Sequence, residues 1–468
     1  MSSFSGLRLA ESALSAARAG MTVTGQNIAN QTTTGYTRQR VDQAPLSGVG
    51  QTGLWKSGLG IGGGVSVTGV ARLGDAVLDA RVRDALSTSG FWSARATAAA
   101  RAESTMAEPT ADGLAANLDR FWAGWSDLAN TPEPAAAQVV LTNAQVLVGQ
   151  IAAGYQAVAG QWGDLRGQVD RDIADVNAVA GQVATLNGQI RDALHAGRNA
   201  NELIDQRNVL AQQLSSAIGA TGVVESDGTL TLRVDGNALV SGDRSRSLQV
   251  SGPREISDAG RIVVSWADRP DVPVAVGGGV IGGTISALAP AADGGTLAGV
   301  AAAYNDTAAA LAAAVNDVHR TGVTAGGAAG GDFFALDTTG PAALGLSVVP
   351  TGLDQLALAA PGAGAKDTTI ADRISALGAS ATGPSKTWAT FVTGFAVAVA
   401  GDLQRADIAD MGAVAAVTAQ QSNASVDGDE ATINLLTYQT AYQAAARVLT
   451  AMDEALDLLI NRTGLVGR

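Results

Sequence analysis

NLLTYQTAYQAAARVLTAMDEALDLLI, running from Asn434 to Ile460, sets Leu435, Tyr438, Tyr442, Ala445, Leu449, Met452, Leu456 and Leu459 at alternating steps of three and four. Such steps keep one face of a helix at the 3.5-residue period of a coiled-coil seam. The other end of the chain carries a counterpart. Between residues 3 and 29, Leu7, Ala10, Leu14, Ala17, Met21, Thr24 and Ile28 alternate in the same way. A single seam would ordinarily mark an amphipathic helix packed on its own domain. Two seams, at opposite ends of a 468-residue chain, predict helices that pair with each other, with neighbouring subunits, or both. Helices with too little core of their own would become ordered only when assembly supplies it.

Working inward, Asn27 and Asn30 lead into TTTGY, where Gly35 reads as a turn residue with positive φ and the Asn amides bond local backbone. Residues 45–70 are Gly-rich, with β-type runs such as VSVTGV. Residues 72–215 read as long helices, punctuated at Asp112–Gly113 and by Pro132 and Pro134. From Ala135 to Ala193 there is no Pro, although Gly149, Gly160 and Gly181 weigh against one unbroken helix. At Ala220 the period changes to two, with Asp227–Gly228 and Asp235–Gly236 as hairpin dipeptides. The expected fold is mainly α with inserted β modules: terminal coiled-coil helices, a central helical bundle and an outward β domain. The expected divisions are an N-terminal assembly helix and turn (1–42) and a first helical part (43–219) with its extended segment. A β module (220–283), a return helix (284–321) and a second β-like segment (322–366) follow. A last helical part (367–424) and a C-terminal assembly helix (425–468) complete the chain.

Composition narrows the function. Acidic residues outnumber basic ones 43 to 30, which disfavours nucleic acid and an anionic membrane surface as partners. With no Cys and only two His, His195 and His319, thiolate chemistry and multi-histidine metal sites are not expected. Both histidines read as helix C-terminal residues, where positive charge is favoured. GLGIGG, Gly58–Gly63, has the letters of a dinucleotide loop but is followed by a strand-like run. Asp427, Asp429 and Glu430 read as an acidic helix start, and Trp122 and Trp125 as core. No G-x-S-x-G or paired-carboxylate site stands out. Neither an enzyme, a cofactor nor a metal is expected. The N-terminus shows no cleavable secretory pattern and no apolar run reaches the ~20 residues of a membrane span, so a soluble chain without membrane insertion is expected.

Two motifs carry a resemblance. Asn27, Ile28, Ala29, Asn30, Thr34, Gly35 and Tyr36, within GQNIANQTTTGYTRQ, resemble the N-terminal signature of the axial proteins of the bacterial flagellum, the rod, hook and hook-associated proteins. Leu435, Tyr438, Gln439, Tyr442, Gln443 and Arg447 resemble the matching C-terminal signature. The interior is similar to the hook-associated members through GLAANLDRFWAGWSDLANTPEP, LNGQI, NELIDQRNVLAQQL and VNDVHRTGVTAGGAAGGDFF. Its β regions are short for that family, so a distal domain is expected to be reduced or missing.

The resemblance implies a structural protein at the junction of hook and filament. It implies self-assembly, contact with neighbouring hook and hook-associated subunits, and export without a cleavable signal to an extracellular position. The flagellar export apparatus and an export chaperone are the partners implied for that route. The two seams would form the subunit-assembly surface, with Asn27, Asn30, Gly35 and Tyr36 shaping the exit from the first helix. A hook or distal-rod protein shares the terminal signatures, but its interior should be richer in β. A coiled-coil surface adhesin should carry a Sec signal or a wall anchor.

Overall fold

A computed structural model describes residues 3–46, 62–258, 260–337, 339–364 and 366–461. Helix α1 (Ser3–Ala29) leads through a turn into the antiparallel pair β1 (Gln39–Pro45) and β2 (Val65–Arg72). Most of the GLGIGG run lies outside the described residues. Four helices follow: α2 (Ala76–Met106), α3 (Leu114–Asn130), α4 (Pro134–His195) and α5 (Asn201–Ile218). Their ends obey local chemistry. Asp75 caps α2 by accepting from the Val77 and Leu78 amides, and Pro134 opens α4, where a missing N–H costs nothing.

Helix α4 is unbroken over 62 residues, against the expectation raised by its glycines. A glycine costs about 1 kcal/mol in a helix interior, whereas each large apolar side chain buried along the same helix contributes about 1.5–3 kcal/mol. Val140, Leu147, Ile151, Val158, Val169, Ile173, Val183 and Ile190 are all buried, so packing outweighs propensity. By length and composition α4 could cross a bilayer, but its apolar stripe is part of the bundle core.

The β module comprises a four-stranded antiparallel sheet and a three-stranded one. The first holds β3 (Thr221–Val224), β4 (Leu230–Val234), β5 (Asn237–Ser241) and β6 (Arg244–Ser245); the second holds β7 (Leu248–Ser251), β8 (Val263–Trp266) and β9 (Arg269–Pro273). Gly228, Asp235 and Gly236 take positive φ in the turns, as their dipeptides predict. Helix α4 holds each sheet through one amide. Asn187, wholly buried, accepts from the Leu230 N–H at 2.9 Å and donates to Leu230 O and Gly242 O. Asn177 makes the same pair of bonds to Leu248. The last strand ends at Pro273 and α6 (Gly279–Leu288) starts inside the span expected to be β. Its glycine-rich sequence has poor helix propensity; packing against α2 decides its state.

Helix α7 (Thr296–His319) returns through the bundle. The second β-like segment holds β10 (Val323–Thr324), β11 (Phe334–Leu336), a single turn α8 (Ala342–Gly345), β12 (Leu346–Val348) and β13 (Ala357–Ala359). Asn316 pins it by accepting from the Phe333 and Phe334 amides and donating to Phe334 O at 2.7 Å. His319 completes the clip: Nδ1–H donates to Gly331 O at 2.8 Å and Nε2 accepts from the Ala357 N–H at 2.9 Å. Only the neutral ring can do both, and burial lowers its pKa. His319 therefore does end a helix, but not as the cation expected there. Trp122 and Trp125 lie in the core with Phe121, Phe333 and Phe334. Helix α9 (Thr369–Ala376) covers α3, and α10 (Pro384–Ala424) lies along α2. The last helix among the described residues is α11 (Gly428–Asn461), whose first turn is capped by Asp427 accepting from the Asp429 and Glu430 amides.

Candidate assembly site

Helices α1 and α11 pack on each other and run antiparallel: the Met452 side chain lies over Gly6 and the Tyr438 ring over Gly20. A Cβ at Gly20 would fall 2.4 Å from that ring, so the close approach requires glycine. On α11 the expected positions face the partner. Ala445 is buried, and Leu435, Tyr438, Tyr442, Met452 and Leu456 are half-buried. Leu449 is at the edge of the contact, 36% exposed, and the Leu459 side chain lies outside the described residues.

On α1 the seam is rotated from the one expected. Ala10, Ala17 and Thr24 are buried as the spacing predicts, but the alternate positions are Gly6, Gly20 and, half-buried, Ala13. Leu7, Leu14 and Met21 flank the contact half-exposed, and Ile28 is exposed. The physical reason is size. The side chains of Tyr438 and Met452 fill the space between the helices, and only glycine fits directly opposite them, at Gly20 and Gly6.

Where α1 ends, a polar node ties the pair to the bundle. Asn27 binds the Gln39 backbone at both its N–H (2.9 Å) and its C=O (2.8 Å), and Tyr36 Oη donates to the same Asn27 oxygen at 2.9 Å. Asn30 donates to Gln26 O. Gly35 has φ +78°, and a Cβ there would sit 2.3 Å from Val209 Cγ2 on α5. Glu202 Oε1 takes N–H groups from Gln26 (2.7 Å) and Gln39 (3.1 Å), while Asn201 donates to Gln39 Oε1 and to Val70 O. Asp205 accepts from the Thr37 amide at 3.0 Å and from Arg72 Nε at 2.6 Å. Asp79, on α2, accepts from Asn208 on α5 and from Gln420 on α10. Arg38 donates its amide to Ala424 O and pairs with Glu430 at 2.9 Å. Burial, then the Glu202 and Asp205 charges, push the Tyr36 hydroxyl up to about 12, so it stays protonated and donating.

Thus Asn27, Asn30, Gly35 and Tyr36, all legible in the sequence, gather at one place. Gln26, Gln39, Arg72, Asp79, Glu202 and Asp205 complete it and carry no local signal apart from the Asn-Glu-x-x-Asp opening of α5. Pairing leaves further apolar surface bare. On α11, Ile433, Leu436, Thr440, Ala441 and Ala444 form an open, largely apolar face, and Ile433 and Leu436 are 63% and 57% exposed. Among the described residues no cluster of His, Asp or Glu is arranged to hold a metal ion.

The helix pair and the domain to which it is clasped each match a family of flagellar proteins. The flagella basal body rod protein profile matches residues 7–37, and the flagellar basal body rod FlgEFG protein C-terminal profile matches residues 420–462. Between them, residues 99–334 match the helical domain of the flagellar hook-associated protein FlgK. Flagellar hook-associated protein 1 of Bacillus subtilis is 28% identical over the whole length of both chains. That of Salmonella typhimurium is 30% identical, over 70% of this chain and 58% of its own. A solved FlgK hook junction protein from Burkholderia pseudomallei aligns over 55% of this chain and 46% of its own, at 26% identity and a TM-score of 0.47. The chain belongs to the FlgK family of flagellar hook-associated proteins. It is a structural protein of the bacterial flagellum and assembles with neighbouring axial subunits.

Proposed function

We propose that the chain forms the junction between hook and filament, and that the α1–α11 pair is its assembly surface. One observation carries this: after pairing with each other, both terminal helices still present apolar faces, the Leu7, Leu14, Met21 and Ile28 flank on α1 and the Ile433–Leu436 face on α11. A solvated helix would present charge there; a helix in a tube of subunits covers such faces with its neighbours. The node fixes the direction in which the pair leaves the bundle, so that all copies present these faces alike. The bundle forms the layer outside the pair, with the β module outward. Subunits reach this extracellular position through the flagellar type III apparatus with an export chaperone, and are then ordered against hook and hook-associated neighbours.

The test separates folding from assembly. A chain trimmed to residues 26–432 keeps every residue of the node and loses the pair. It is expected to retain its helical circular dichroism and cooperative unfolding while failing to attach to hook ends. Attachment by the trimmed chain would overturn the reading.

A further inference from the structure

A cleft of about 860 Å³ opens between α4, α7, the loop joining β7 to β8 and the turn before α8. None of the residues that line it belongs to the node or to the terminal helices. Its floor is made by two helix stripes. Tyr155 and Trp162 stand seven residues apart on α4, and Ala298, Ala301, Ala302 and Asn305 follow the i, i+3, i+4, i+7 face of α7. The alanines leave the room, and Pro253, Ile256, Leu288, Pro290 and Pro341 wall it. Trp162 Nε1–H donates to Leu288 O at 3.0 Å, which fixes the indole in the floor.

Two polar groups in this apolar setting lack a partner. Tyr155 is only 4% exposed, yet its hydroxyl makes no hydrogen bond among the described residues. A buried tyrosine hydroxyl normally finds one. Burial, then the Glu255 charge, raises its pKa, so the hydroxyl stays protonated and can donate. Asn305 Oδ1 accepts from the Ala343 N–H at 3.0 Å, which fixes the amide and leaves the Nδ2 donors unpaired among the described residues. No Lys or Arg lines the cleft, which disfavours an anion. Its one carboxylate, that of Asp258, accepts from the Arg254 and Glu255 amides of its own loop.

We propose that the cleft binds a small uncharged ligand that joins an apolar, ring-sized body to carbonyl acceptors. The body displaces water from the indole and proline surfaces, and a carbonyl oxygen accepts from the Tyr155 hydroxyl, with the Asn305 amide as the second donor. A few directed polar groups in a concave apolar setting are what small-molecule sites share. Walls drawn from several segments of chain suit a compact molecule better than a strand or helix, which lies along a continuous edge or groove. The inference stands apart from the assembly reading, and neither depends on the other.

The probe is N-acetyltryptophanamide, titrated into the full-length chain and followed by calorimetry and saturation-transfer NMR. Binding is expected to saturate with a dissociation constant of about 1 mM or tighter. N-acetyltryptophan, an anion, and tryptamine, a cation without a carbonyl, are expected to bind about fivefold more weakly or worse. Tyr155→Phe removes a hydroxyl that has no protein partner, so the melting temperature should hold while affinity for the probe falls about fivefold or more. Ala302→Leu fills the cleft from α7 and is expected to abolish binding. No saturable binding by the parent chain, equal binding of the charged analogues, or undiminished binding by Tyr155→Phe or by Ala302→Leu with its circular dichroism intact would overturn the inference.

Discussion

Gly35→Ala tests whether the turn after α1 is held on the bundle as described. Two effects add. Alanine at φ +78° is in the left-handed region, at a cost of about 1–2 kcal/mol. Its Cβ would lie 2.3 Å from Val209 Cγ2, where carbon atoms want about 3.5–4 Å, so side chain and turn must part by more than an ångström. Overpacking of that kind costs about 1–3 kcal/mol. The sum, about 2–5 kcal/mol, falls on the docking of the turn. The Thr37 amide is the local reporter, because it is buried and donates to Asp205. At about 1.4 kcal/mol per decade, its hydrogen exchange should accelerate by roughly 30-fold or more. Repeating the substitution in a Val209→Ala chain removes the steric part and keeps the backbone part. The cost of Gly35→Ala should then drop to about 1–2 kcal/mol, a coupling energy typical of residues in contact. Equal costs in both backgrounds, or an unchanged Thr37 exchange rate, would refute the docking.

Gly20→Leu drives a side chain into the Tyr438 ring, so attachment to hook ends should be lost while urea unfolding of the bundle stays within about 0.5 kcal/mol of the parent. Asn187→Ala leaves the Leu230 N–H and C=O without their buried partner and should destabilise the β module by about 2–4 kcal/mol, measured by the hydrogen exchange of the β4 and β5 amides. His319 is neutral when folded and its pKa is lowered by burial, so the unfolded chain takes up the proton first. Its contribution is fully present above the unfolded value near 6.5 and is lost as pH falls from there through the folded value. A His319→Gln chain should show a shallower loss of stability on acidification, in thermal melts from pH 7 to 4.

Much of the fold is local and was legible. The Pro, Asn and Gly positions mark helix ends and hairpin turns, because a single residue's backbone freedom decides them. Two of the differences between expectation and structure share a cause in packing. Large residues at Leu7, Leu14 and Met21 look like a seam because hydrophobicity grows with size, but helices in close contact select the small residues beside them. Glycines look like breaks in α4, but a helix held by a long buried stripe tolerates them on its outer side. The node was half legible. Asn27, Asn30, Gly35 and Tyr36 act on their own turn, whereas Glu202 and Asp205 act on groups more than 130 residues away, and no window of sequence contains both.

The pairing of α1 with α11 joins residues more than 400 positions apart. Long-range closure of this kind is slow and late, because the entropy of the whole intervening chain must be paid before the first contact is made. The bundle core, centred on α3, α4 and α7, does not depend on that contact. Loss of the tie between the ends is therefore expected to leave the bundle folded.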